Sequence, residues 1–179
     1  PAVAPLDLTL RAGEITVLRA YARYMRQIGF ALSQPFIEAT LAAHAPIARA
    51  LVELFKARFD PAGSGDGSAE VRRIEAMLEE VTNLSEDRVL RQLLALMLAT
   101  TRTNFWRGRE FLSFKFDPSK VPGLPQPKPM FEIFVYSPRF EGVHLRGGPV
   151  ARGGLRWSDR PEDFRTEVLG LVKAQMVKN

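Results

Sequence analysis

Asp117-Pro-Ser-Lys-Val-Pro-Gly-Leu-Pro-Gln-Pro-Lys-Pro129 runs directly into Met130-Phe-Glu-Ile-Phe-Val-Tyr136, and the periodicity of the chain changes at that junction. In the first stretch each proline fixes φ and removes a backbone donor, so neither helix nor central strand persists. The stretch predicts a stiff, extended connector and the main boundary of the chain. The second stretch is rich in β-branched and aromatic residues and apolar on both faces except at Glu132, which predicts a covered interior strand. Val143 and Leu145 alternate with His144 and Arg146, so another strand is expected near Phe140–Arg146. Two glycine pairs follow, Gly147-Gly148 and Gly153-Gly154. Pro161 then opens a helix with Glu162 and Asp163 in its first turn, running on through the last residues.

Upstream of Phe111 the pattern is helical. Ile15, Leu18, Ala22, Met25 and Ile28 share one face of a first helix. Ser33 is placed to cap a second, from Gln34 to about His44, with Pro35 in its first turn. Pro46 starts a third, carrying Ile47, Ala50, Leu51, Leu54 and Phe55. Pro61-Ala-Gly-Ser-Gly-Asp-Gly-Ser68 reads as a flexible surface loop. Beyond it, Val71, Ile74, Met77, Leu78 and Val81 make another stripe. Ser85 is the expected cap of a long helix through Leu90, Leu93, Leu94, Met97, Leu98 and Phe105, with Glu86 and Asp87 in its first turn. Core packing accounts for nearly all of these residues. The expected class is therefore α+β: a helical region over 1–112, a proline-rich connector over 113–129, and strands followed by a helix over 130–179.

The chain has 179 residues with a net charge of +5 and 46% apolar residues, which is ordinary globular composition. It has no cysteine, which excludes disulfides, thiolate metal sites and a cysteine nucleophile. Two histidines, His44 and His144, leave little from which to build a metal site or a Ser-His-Asp triad. No apolar run reaches the roughly 20 residues that span a bilayer, and Pro1 to Arg11 lacks the features of a secretory signal. The expectation is a cytoplasmic protein with no membrane partner and no metal. A pI of 9.9 raises nucleic-acid binding. Against it, basic residues alternate with acidic ones, eight against five from Arg139 onward, and Arg146-Gly-Gly and Arg152-Gly-Gly do not form a low-complexity tract. No nucleic-acid partner is expected.

The chemistry concentrates in the last forty residues. In Arg152-Gly-Gly-Leu-Arg-Trp157 two glycines let backbone N–H groups approach a ligand, and flanking guanidiniums suit a carboxylate or phosphate through paired donors. A plain glycine turn with solvated arginines is the bland reading of the same pattern. In the final helix Phe164, Val168, Leu171, Val172 and Gln175 follow helical spacing. Lys178, seven residues past Leu171, should project within about 20° of it, whereas Lys173 faces water. A lysine on an apolar stripe must neutralise, snorkel or find an anion.

The run Phe131-Glu-Ile-Phe-Val-Tyr-Ser-Pro-Arg-Phe-Glu-Gly-Val-His-Leu-Arg-Gly-Gly148, with Val150-Ala-Arg-Gly-Gly-Leu-Arg-Trp-Ser-Asp-Arg-Pro-Glu-Asp-Phe-Arg-Thr-Glu-Val-Leu-Gly-Leu-Val-Lys-Ala-Gln-Met-Val-Lys-Asn179, closely resembles the large bacterial NAD-specific glutamate dehydrogenases. Leu18-Arg-Ala-Tyr-Ala-Arg-Tyr-Met-Arg-Gln27 and Leu51-Val-Glu-Leu-Phe-Lys-Ala-Arg-Phe-Asp-Pro61 are similar to that family too, so the resemblance covers essentially the whole chain. It implies oxidative deamination of L-glutamate to 2-oxoglutarate and ammonia. It also implies that residues from 130 onward begin an α/β substrate-binding domain. Arg152-Gly153-Gly154-Leu155-Arg156 is similar to the motif that opens the family's substrate site, with arginine where smaller members carry lysine. Lys178 matches a second family lysine, which binds the α-carboxylate, given a two-residue insertion within Ser158–Thr166. The implied substrate-binding residues are Lys178, Arg152, Gly153, Gly154 and Arg156. The family's catalytic lysine and its NAD domain lie downstream of the sequence given. No catalytic or NAD-binding residue is expected within it, and it contains no G-x-G-x-x-G. The expectation is a fragment, inactive alone, of an enzyme that is a homo-oligomer at full length. The alternative is a helical assembly segment without chemistry of its own.

Overall fold

A computed structural model describes residues 10–151 and 153–176. They form six α-helices, two 3-10 turns and one four-stranded antiparallel sheet, an α+β architecture with the helices gathered toward the N-terminus. Two compact units result. One combines residues up to Arg23 with Leu32–Met97; the other combines Tyr24–Ala31 with residues from Leu98 onward.

The first unit is helical. It takes most of α1 (Ala12–Gln27), all of α2 (Gln34–Ala43), α3 (Ala45–Phe59) and α4 (Ser68–Leu78), and α5 (Leu84–Ala99) as far as Met97. Ser33 caps α2 as expected, its side chain accepting the Phe36 N–H at 3.3 Å. The apolar stripe of α3 is buried at all five expected positions. Leu18, Ile37, Leu41, Ile74, Leu90 and Leu93 complete the core, with the Tyr21 ring edge-on to Phe55 at 6.4 Å. Glu14 is buried beside Lys56, which donates to its carboxylate. The cap of α5 is Asn83 rather than Ser85. Asn83 Oδ1 accepts from the N–H groups of Ser85 and Glu86 at 2.9 and 3.1 Å, because an Asx side chain reaches the N–H groups two and three residues on. Leu98, expected on the core stripe, is exposed, while Val89 and Leu96 are buried.

The helical pattern stops earlier than the sequence indicates. α5 ends at Ala99, and Thr100-Thr-Arg-Thr103 is strand β1, where three β-branched side chains favour extended backbone. After a 3-10 turn at Phe105–Arg107 come β2 (Leu112–Phe116), β3 (Phe131–Tyr136) and β4 (Glu141–Arg146), in the order β1-β2-β3-β4. The proline-rich stretch, expected to divide the chain, joins the hydrogen-bonded neighbours β2 and β3 inside one unit, with Val121 and Leu124 buried along it. Prolines cannot join the ladder, so they fill the connection between two strands that do. β3 is interior, as expected, paired from Phe116↔Glu132 to Leu112↔Tyr136 on one side and from Phe131↔Arg146 to Tyr136↔Glu141 on the other. Its inner face carries Phe134 and Tyr136, near Phe114 and Phe116 of β2. From the last turn of α1, the Tyr24 ring stacks on Phe116 at 4.3 Å.

α6 (Phe164–Met176) closes the second unit, and its buried face is not the one expected. Arg165 and Leu169 are buried and Leu171 is 47% exposed. Leu171, the neighbour expected to carry Lys178 inward, thus faces solvent, and Lys178 lies outside the described residues. An arginine sits on the inner face in place of the leucine because a carboxylate in β3 waits for it.

Candidate functional site

Glu132 is the one charged residue of β3, and it points inward with no exposure. Its carboxylate is fully used. Oε1 accepts from Arg165 Nε at 2.6 Å and from the Tyr24 hydroxyl at 2.7 Å; Oε2 accepts from the second Arg165 guanidinium arm at 2.8 Å. The Arg165 backbone N–H donates to Gln27 Oε1 at 3.1 Å, and Gln27 Nε2 donates to the Pro161 carbonyl at 2.9 Å. Burial alone would pull the Arg165 guanidinium down; the Glu132 carboxylate against it holds it above its ordinary value. Burial pushes the Tyr24 phenol well up, and the Glu132 charge adds to this. This bidentate pair, with its hydroxyl and amide partners, fixes the first turn of α6 against β3 and the end of α1.

Two residues along α6, Glu167 reaches back to the glycine segment. Its Oε1 accepts from Arg156 Nε at 2.6 Å and its Oε2 from the Ser158 hydroxyl at 2.7 Å. Those two contacts, Ser158 first, hold the Glu167 carboxyl below the usual range. Arg160 pairs with Asp163 at the entry to α6, and its N–H donates to Ser158 Oγ at 3.2 Å. The segment is thus fastened to the helix at its C-terminal end, while Gly153, Gly154, Leu155, Arg156 and Trp157 all lie exposed. Gly153 has φ +115°, a conformation that side-chain-bearing residues rarely adopt. A cleft of about 280 Å³ lies beside it in sequence, lined by Arg146, Gly147 and Gly148 with Val172, Gln175 and Met176 of α6. A Cβ on Gly147 would stand 3.2 Å from Val172 Cγ1, so the glycine lets α6 approach the end of β4.

Of the expected substrate-binding residues, Gly153, Gly154 and Arg156 fall on this exposed segment. Arg152 and Lys178 lie outside the described residues. Sequence reasoning missed Glu132, Arg165 and Glu167. The first had a readable signal, a lone carboxylate in an apolar strand, which demands a buried partner. Glu167 had none beyond helical spacing. Among the described residues no group of three or more His, Asp or Glu gathers as a metal site. The described strands are all antiparallel, so they do not present the parallel strand, glycine turn and helix that cradle a dinucleotide.

Residues 73–179 match a family model described as the catalytic domain of bacterial NAD-glutamate dehydrogenase, and residues 6–61 match one described as helical motif 3 of glutamate dehydrogenase. The chain is 58% identical over 175 residues to a protein named NAD-specific glutamate dehydrogenase from Halomonas elongata, and 54% identical over 179 residues to one from Pseudomonas aeruginosa. A third, from Mycobacterium tuberculosis, is 50% identical over 189 residues. These alignments cover 93%, 93% and 97% of this chain but only 11%, 11% and 12% of those proteins.

Proposed function

This chain belongs to the bacterial NAD-glutamate dehydrogenase family, and from that premise we propose that it supplies one side of the glutamate site of an enzyme that oxidatively deaminates L-glutamate to 2-oxoglutarate and ammonia. The observation that carries this reading is the exposed Gly153–Arg156 segment, with paired glycines and a guanidinium already oriented by Glu167. The resemblance to the family's motifs supports counting Arg152 and Lys178 as its partners. Together these cations engage the two carboxylates of the substrate, and the side-chain-free glycines let it lie close to the backbone. Fixing a dicarboxylate at both ends orients its Cα–H and amine, which is the contribution of this chain to the rate. NAD, held by another part of the larger protein, would supply the hydride acceptor. None of the pocket residues named here accepts the proton, and residues 1–179 alone are expected to be inactive.

The whole enzyme is further read as a cytoplasmic homo-oligomer. None of the described helices is long and apolar enough to cross a membrane. Initial rates of glutamate-dependent NAD reduction test the proposal: the complete polypeptide carrying this sequence should turn over and residues 1–179 should not. A complete polypeptide that binds neither glutamate nor 2-oxoglutarate, yet self-associates through residues 1–112 in light scattering, would favour a purely structural role instead.

A further inference from the structure

Arg156 is bound through Nε to Glu167, and among the described residues the paired ends of its fork have no acceptor. Toward those residues both terminal NH₂ groups stay available as donors for a second acid, in a plane set by the first. The acid that sets the plane is on a helix whose own position is fixed two residues earlier by the buried Arg165–Glu132 pair. The same carboxylate takes the Ser158 hydroxyl on its other oxygen, so one side chain fixes both flanks of Trp157. Glu167 is itself four-fifths buried at the side chain, whereas Arg156 is 61% exposed. The arrangement is a fixed acid holding a presented base.

We propose that Glu167 is a positioning residue of the glutamate site: it holds the Arg156 segment against α6 and presents the free end of the guanidinium to a substrate carboxylate. This rests on the reading of Arg156 as a pocket residue. Glu167 does not touch substrate and acts only through Arg156 and Ser158. The Ser158 and Arg156 contacts hold its carboxyl below the usual range, favouring the charged form that braces Arg156.

Steady-state kinetics of the complete polypeptide with L-glutamate, for Glu167→Ala, Glu167→Gln, Arg156→Ala and the double variant Glu167→Ala/Arg156→Ala, test this. Arg156→Ala should raise KM about tenfold, the loss of a charge-assisted contact. Glu167→Ala should raise KM about fivefold with kcat within about twofold, the scale of one partly exposed ion pair. Glu167→Gln, which keeps an acceptor for Ser158 but not the charge, should fall between wild type and Glu167→Ala. The double variant should be no worse than Arg156→Ala alone. Penalties that multiply in the double variant, or an unchanged KM in both Glu167 variants while Arg156→Ala raises it, overturn the positioning role. An unchanged KM for Arg156→Ala itself overturns it too, by removing the pocket reading on which it stands.

Discussion

Arg165 and Glu132 form the most consequential pair of side chains in the second unit, because each would be intolerable without the other. Removing one partner of a buried ion pair leaves a charge with neither water nor counter-ion, at a cost of about 3–5 kcal/mol, whereas replacing both by apolar residues of similar size is far milder. Glu132→Gln should therefore lower stability by about 3–5 kcal/mol in denaturant titration, and Glu132→Leu/Arg165→Met should recover most of it. Tyr24 adds a pH signature. Its pKa is raised in the folded state, so the stability linked to it is fully present below the ordinary phenol value of 10.0 and is lost as pH rises beyond that value toward the folded one. Melts at pH 8 and 10.5 should show an alkaline loss in the wild type that is smaller in Tyr24→Phe. An equal loss in both would remove Tyr24 as its source.

The elements show which physical signals survive in a sequence and which do not. The stripe of α3 and the cap of α2 were readable, because helical periodicity and a Ser before a proline-bearing first turn are local. The end of α5 was not: Thr100-Thr-Arg-Thr103 is strand because β2 pairs with it, and that partner lies a dozen residues on. The inner face of α6 was misread for a related reason. An arginine counts as polar on a helical wheel, and only the strand carboxylate opposite it turns that position inward. Of the candidate site, the glycine pair and Arg156 could be found by composition; the acid that organises them could not, since Glu167 looks like any helix-surface glutamate. Two tests belong here. Asn83→Ala should cost about 1 kcal/mol by removing the α5 cap, read as a shift in melting midpoint. Amide exchange should be slower across Phe131–Tyr136, bonded on both sides, than across the edge strand Glu141–Arg146; the reverse order would contradict the strand order.

At the scale of the whole molecule, the two units divide the labour. The helical unit has a continuous apolar core, the Lys56–Glu14 ion pair and a hydrogen bond between His44 and Glu86 that join its own helices. The second holds the sheet, the buried Glu132–Arg165 pair, the glycine segment and the cleft beside α6. The chain spans about a ninth of its relatives' length, and substrate grip is the contribution proposed for it. The most direct measurement compares glutamate kinetics of the complete polypeptide bearing Lys178→Ala with those bearing Lys173→Ala, an exposed lysine of α6. The account predicts that Lys178→Ala lowers kcat/KM for glutamate by about tenfold to a hundredfold while Lys173→Ala stays within about twofold of wild type. Equal activity in the two variants would contradict it.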